Sequence, residues 1–299
     1  MDDYIYYIDF GAIKLGDLAH SLGDFKMAAA QYNKALTRLR TYQGDRMQPA
    51  LMAAELVDKL SQMSRYLNAG KPILTLETWR LSKSSFVKGN QCLKYLFLDK
   101  HKKKEKTLLS ATKRALFKKG HSFESSIRQN YFPGGIDVKA DVGNFGYFNS
   151  YTKNLLRQTG RCVLYEGTII EDYVLVMCDI LIKSEEGLID IYEIKLNSEI
   201  NEAIIADLAI QYTIAEKRFA KKLNSFNLIL SDQNNPEGHS ITEFTELLRN
   251  KTEAVNQQII AFKHTLIHTE PVVEMGTHCK EPYECEFIDY CKKCSSEKQ

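Results

Sequence analysis

The spacing of apolar residues divides the chain into stretches of different period. From about Asp2 to Leu67 they recur at three- and four-residue intervals, the period of amphipathic helices, as in "LGDLAHSLGDFKMAAAQYNKAL" and "PALMAAELVDKLSQMSRYL". After "NAGKPILT" the pattern changes. "LSKSSFVKGNQCLKYLFLDKH" predicts a helix carrying Cys92, with Ser82 or Ser84 as its cap. "KKGHSFESSIRQNYFPGG" predicts another, stopped by Pro133 and two glycines. A glycine- and asparagine-rich loop leads to "GRCVLYEGTII", a strand, and then to a hairpin. Beyond it come the helix "NEAIIADLAIQYTIAEKRFAKK", the buried strand "SFNLILS" and a long helix from about Ile241 to Phe262. Helices around a small mixed sheet predict an α/β or α+β domain over 76–299, preceded by an all-α extension over 1–75.

The hairpin "CDILIKSEEGLIDIYEIK" carries the candidate chemistry. Two β-branched runs flank a loop of Glu185, Glu186 and Gly187, with glycine where positive φ is needed. That loop pairs Ser184 with Leu188, and counting back sets Asp179 opposite Glu193, with Cβ atoms roughly 5 Å apart on one face. Lys195 shares the face because side chains alternate along a strand. Cys178, Ile180, Ile182, Ile194 and Leu196 fall on the other, core face. Two carboxylates so close repel unless a positive charge lies between them. A solvated face with an incidental salt bridge is one reading. The other is a hard-oxygen site for Mg²⁺ or Mn²⁺, with Lys195 stabilising negative charge.

Bulk properties narrow the class only partly. The chain has 299 residues, 44% hydrophobic and 26% charged, enough for one large core or one core and an appendage. A net charge of +2 does not announce a nucleic-acid binder, but "DKHKKKEK", "KRALFKKGH" and "EKRFAKK" are basic clusters that could follow a phosphate backbone. No run is long and apolar enough for a membrane span, and "MDDYIYYIDF" lacks the basic start of a secretory signal. A cytoplasmic location follows, in which the seven cysteines are ligands or thiols rather than disulfides. Cys279, Cys285, Cys291 and Cys294 crowd into a short polar tail, which points to a metal. Two options stand: zinc held by those four, or an iron–sulfur cluster with one thiolate from upstream, for which Cys92 is the candidate. Cys162 and Cys178 read as buried hydrophobes.

Two resemblances follow from these motifs. Gly16, Gly23, Ala28, Tyr32 and Ala35 have the spacing of a tetratricopeptide helix pair, a repeat that needs a neighbour to bury its core. It suggests a protein partner or self-association. From roughly Leu81 to Cys294, the Cys92 segment, the Asp…Glu-x-Lys hairpin, "DLAIQY" and the cysteine-rich end occur in the order of RecB-like nucleases of the PD-(D/E)XK superfamily. The branch resembled is the one pinned by an iron–sulfur cluster, which includes CRISPR-adaptation exonucleases. A bacterial RecB-like group with "FPGG", "YEGT" and "HC…PYEC…F…YC" signatures is similar too.

The resemblance implies a restriction-endonuclease-like core and a Mg²⁺- or Mn²⁺-dependent DNA nuclease acting on ends or single strands. It makes Asp179 and Glu193 the metal-binding acids and Lys195 the catalytic lysine, with Glu166 supporting them. Gln211 and Tyr212 would contact DNA or the attacking water, Tyr212 being available to stack a base, and either His121 or Glu124 would extend to the metal. Cys92, Cys279, Cys285 and Cys291 would hold a [4Fe-4S] cluster, with zinc as the alternative. One departure stands out. The better-known members have Cys-x-x-Cys within the terminal triplet, whereas the only such spacing here joins Cys291 to Cys294, leaving either as the last ligand. Competing readings are a scaffold with a degenerate nuclease fold and a zinc-stabilised interaction protein.

Overall fold

Asn201 explains where one deeply buried helix begins: its side-chain oxygen accepts the Ile204 amide at 3.0 Å, the interaction that starts a helix. The computed structural model describes residues 3–44, 47–68, 74–107 and 111–296. The chain divides into two compact units, one of Met1–Glu77 with Lys139–Arg157, the other of Thr78–Val138 with Gln158–Gln299. The "NAGKPILT" break lies mostly outside the described residues.

The first unit is helical. Helices α1 (Phe10–Ser21) and α2 (Phe25–Leu39) are capped by Asp9 and Asp24, and α3 (Met47–Asn68) follows. Tyr32 lies fully buried against Gly16, where an added Cβ would meet the ring at 2.5 Å. Its hydroxyl donates to Asp17 at 2.8 Å.

The second unit opens with a two-residue strand β1 (Leu81–Ser82) and the short helices α4 (Lys83–Gln91) and α5 (Leu93–His101). Next come α6 (Ala111–Tyr131) and strand β2 (Ile136–Asp137). The chain then passes through α7 (Val138–Val142) and α8 (Phe145–Arg157). The expected glycine- and asparagine-rich loop is therefore largely helical: "YFNSYTKNLL" buries Tyr147, Phe148, Tyr151 and Leu155 in the first unit, which outweighs the loop signal of its glycines.

Strands β3 (Cys162–Glu171), β4 (Val174–Lys183) and β5 (Ile189–Lys195) lead into helix α9 (Glu202–Phe219) and strand β6 (Leu223–Ser231). Strand β7 (His239–Glu243), α10 (Thr245–Arg249), α11 (Thr252–Ile267) and α12 (Ile288–Ser296) complete the order. Ile241 sits in β7 opposite Ile229, so the expected long helix is a strand followed by two helices.

The sheet runs β2-β3-β4-β5-β6-β7, with β1 also on β4. It is mixed: β2/β3, β5/β6 and β1/β4 are parallel, and the remaining pairs antiparallel. The fold is thus mixed α/β with an N-terminal helical region. One sheet face packs Ile180, Ile182, Ile194 and Ile229 against Ile127 of α6. The other is covered by α9, where Ile204, Leu208, Ile210 and Ile214 are almost wholly buried. No helix among the described residues is long and apolar enough to cross a membrane.

The β4–β5 hairpin has the register of a three-residue loop. Ile180 pairs with Tyr192 and Lys183 with Ile189; the Ser184 amide donates to Leu188 at 2.8 Å, and Gly187 has φ 83°. No atom lies within 4 Å of a Cβ built at Gly187. Gly187→Ala is therefore expected to lose about 1 kcal/mol through backbone strain alone. Urea unfolding checks this, and an unchanged midpoint would mean that the loop does not need the left-handed conformation.

Candidate functional site: a carboxylate–lysine cluster at a gap in the sheet

Strand β4 borrows two neighbours along one edge. β1 pairs with Val174 and Leu175, and β5 takes over from Ile180 onward. Between them lies an interval without ladder pairs, and Asp179 stands in it. Its carboxylate replaces the missing backbone acceptor by taking the Ile194 amide at 2.7 Å. The hairpin register carried one step on sets Asp179 opposite Glu193.

Glu193 is 1% exposed, and its two oxygens differ sharply. Oε1 accepts from Lys195 at 2.6 Å and from Lys83 at 2.9 Å, while Oε2 is buried and without a partner among the described residues. Lys195 also donates to Asp207 on α9 at 2.5 Å. Burial pushes the Glu193 carboxyl up, but the ammonium groups of Lys195 and Lys83 outweigh it and hold the pKa at about 2. At Asp179, burial and then the Glu193 charge act together, raising its pKa well above the carboxylate range. Of two facing acids one is ionised and the other favours its proton, the pattern of carboxylates sharing a site.

A second layer comes from α6. Arg128 pairs with Glu124 one turn away and with Glu166 at 2.9 Å. Glu166 has φ 55°, inside β3, where its expected partner Asp179 is skipped by the ladder. That backbone reversal breaks the alternation, so Tyr165 and Glu166 both reach α6: the Tyr165 hydroxyl donates to the Arg128 carbonyl at 3.3 Å and to that of Phe132 just past the helix, while Glu166 takes the Arg128 side chain. A non-glycine residue held in this conformation stores strain that surrounding contacts must enforce. Burial raises the Glu124 pKa, opposed by Arg128 and reinforced by the nearby Glu166 and Glu193.

The structure thus gathers Asp179, Glu193, Lys195, Glu166 and Glu124. His121 does not join them: its side chain is 78% exposed on the outer side of α6, with Nδ1 3.7 Å from Glu124. Gln211 is 0% exposed, and neither amide atom finds a partner among the described residues. Tyr212, expected to stack on bases, is shut inside instead. It is 1% exposed, edge-on to Phe226, with its hydroxyl on Glu216 at 3.1 Å. Neighbouring positions on a helix point about 100° apart, so Gln211 and Tyr212 face different directions.

Sequence reasoning missed Lys83, Asp207 and Arg128. Asp207 did leave a signal, because an acid within the buried run "IIADLAIQ" requires a partner. Lys83 left none: it enters the gap only because β1 docks on β4 and α4 starts immediately afterwards under the Ser82 cap.

The cysteines form a separate group. Cys92 is not inside a helix but at an extended break between α4 and α5, with φ −166° and ψ 124°. Cys92, Cys279, Cys285 and Cys291 line one small cavity; Cys294 is not on its wall. Burial, offset in part by the Phe287 amide and reinforced by the neighbouring cysteines, pushes the Cys285 thiol up to about 11. Burial also raises Cys291, opposed by Lys94. Phe287, fully buried edge-on to Tyr95, anchors the tail beside them. Gln91 adds bonds to the His278 and Tyr283 carbonyls at 2.7 and 2.6 Å.

Both donor groups have a chemistry that suits a cation. At the acid gap the signs are a buried oxygen with nothing to bond and a carboxyl driven to protonate; at the tail they are four thiols around one cavity. Among the described residues, however, no three His, Cys, Asp or Glu side chains are set closely enough to ligate a single ion as they stand. No protein-family model matches the chain, and no curated protein matches it in sequence.

The Asp179 shift predicts a pH effect on stability. An unfolded aspartate titrates near about 3.9, so above that pH the folded chain holds a proton that the unfolded chain has lost. Stability therefore falls as pH rises from there towards the higher folded value. Asp179→Asn keeps an oxygen for the Ile194 amide and removes this penalty. Without divalent ions it should be more stable than the wild type at pH 8, the difference fading towards pH 4. Equal thermal midpoints at both pH values would refute the acid pair.

Proposed function

We propose that the second unit is a metal-dependent DNA nuclease with a restriction-endonuclease-like core of the PD-(D/E)XK type, similar to RecB-like nucleases, acting on ends or single strands. The observation that carries this reading is the free, buried Oε2 of Glu193 opposite Asp179. Two lysines occupy the other oxygen, leaving this one for a cation. Mg²⁺ or Mn²⁺, when bound, supplies a water of lowered pKa and positive charge against the phosphodiester. Asp179 and Glu193 are the residues that would hold it, with Glu124 nearest on α6.

The chain's own groups do the positioning. Lys83 and Lys195 fix the Glu193 carboxylate in one orientation. An ammonium has three protons, and Lys195 spends two on Glu193 and Asp207, keeping one for a phosphate oxygen whose charge grows during attack. Gln211 offers an unbonded donor and acceptor for the substrate or the attacking water. Arg128 holds Glu124 and Glu166 apart from the acid pair, limiting the repulsion that the cluster must bear.

Cys92, Cys279, Cys285 and Cys291 would hold a [4Fe-4S] cluster in a structural role, joining the α4–α5 break to the tail. The helical extension, read as tetratricopeptide-like, would serve as a contact for a protein partner or a second copy.

Mn²⁺-dependent degradation of labelled DNA should disappear in Lys195→Ala and Asp179→Asn while the fold persists. A wild-type protein inactive on single-stranded, duplex and forked DNA would end the catalytic reading in favour of a binding scaffold. Purified without oxygen, the protein should be brown and contain iron, and Cys92→Ala should lose it. A colourless protein with one equivalent of zinc would replace the cluster by a zinc site, and a variant with unchanged metal would remove Cys92 from the ligands.

A further inference from the structure

The basic clusters of the sequence have different fates in the fold. In "DKHKKKEK", Lys106 bonds Asp99 and Glu286, and Lys102 bonds Glu270. In "EKRFAKK", Lys217 and Arg218 hold Asp172 and Glu171. Each of these clusters is satisfied in part by the protein's own acids, while Lys100, Lys103, Lys104, Lys221 and Lys222 are exposed and form no ion pair among the described residues. The cluster on α6 differs in where its unpaired cations stand. Lys113 reaches Glu284, but Arg114, Lys118 and Lys119 are exposed and form no ion pair among the described residues. The only acid of α6, Glu124, turns to Arg128.

These cations lie on an organised face. Arg114, Lys118, Ser125 and Gln129 recur at helical spacing along one open depression, beside Phe117, which is 53% exposed. The same helix carries Glu124 and Arg128 into the acid cluster. At 1.5 Å per residue, Lys118 stands roughly 9 Å and Arg114 roughly 15 Å from Glu124 along the axis. Two unneutralised cations on this depression therefore stand on the same helix that carries Glu124 and Arg128.

We propose that this outer face of α6 is a track for single-stranded DNA, an inference that rests on the nuclease reading above. Arg114 and Lys118 take backbone phosphates, Ser125 and Gln129 donate to phosphate or sugar oxygens nearer the site, and Phe117 stacks a base. The exposed ring selects a single strand, because a duplex keeps its base faces covered. Phosphate contacts of this kind set position and register without reading sequence.

The test separates binding from cleavage. Anisotropy of a fluorescent oligothymidylate, in EDTA and over a range of salt, measures the track with the acid site idle. Arg114→Glu/Lys118→Glu should bind at least tenfold more weakly at low salt, with a log–log salt slope shallower by about 1.4, the loss of two phosphate contacts on a single strand. Phe117→Ala should weaken the single strand about fivefold or more while leaving duplex binding unchanged. Asp179→Asn should bind like the wild type. Should charge reversal leave affinity and slope unchanged, or should the wild type prefer duplex, the track is wrong whatever the cleavage assay shows. Tight, α6-dependent binding by a protein that cuts nothing would instead overturn the catalytic reading and keep the track. Should the double reversal misfold by circular dichroism, Arg114→Gln/Lys118→Gln carries the same comparison.

Discussion

The unequal bonding of Glu193 constrains the whole site. A carboxylate that is 1% exposed cannot stay ionised in a protein interior without compensation. Lys83 and Lys195 supply it at one oxygen only. Each lysine is held there by another element: Lys195 by Asp207 of α9, Lys83 by its place at the first turn of α4. Three segments distant in sequence, β5, α4 and α9, therefore converge around one oxygen atom, and the second oxygen has no partner among the described residues. An arrangement designed only for stability would have satisfied both, or replaced the group with an apolar one.

The gap in the sheet makes this possible. Had β5 paired with β4 along its whole length, Asp179 would be an ordinary ladder residue, its carboxylate set beside that of Glu193. Because β1 takes the first part of the edge and β5 the last, the intervening backbone is free to let a side chain act as an acceptor. The positive φ of Glu166 on the neighbouring strand belongs to the same irregularity. Sheet regularity is lost at the point where several acids must be placed without direct contact.

The hairpin was legible because its information is local: loop length, one glycine and strand alternation fix Asp179, Glu193 and Lys195 on one face, and the β4–β5 register agrees. The mixed α/β class was legible for the same reason. What could not be read depends on contacts between distant segments. Lys83 looks like any solvated residue until β1 docks. Tyr212 looks available until α9 packs its ring on Phe226. The "YFNSYTKNLL" segment carries turn residues on either side, and only packing within the first unit makes it a helix. Glu166 was named as a supporting acid, but its conformation escaped for another reason: a reversal of φ at a non-glycine residue has no sequence signature, yet it decides which face the side chain serves.

Charge placement connects the interior of the second unit with its surface. Inside the cluster, five carboxyl groups (Asp179, Glu193, Asp207, Glu124 and Glu166), of which Asp179 favours its proton, face three cations (Lys83, Lys195 and Arg128), so the interior is still short of positive charge. Outside, α6 has the opposite imbalance, with Arg114, Lys118 and Lys119 exposed and forming no ion pair among the described residues. One helix thus separates an excess of negative charge from an excess of positive charge. Neither excess favours the folded state on its own, since buried like charges and unpaired surface cations both raise its energy. A divalent cation at the inner end and a polyanion along the outer face would relieve the two together. A binding partner of both kinds is what a metal-dependent enzyme acting on phosphodiesters requires.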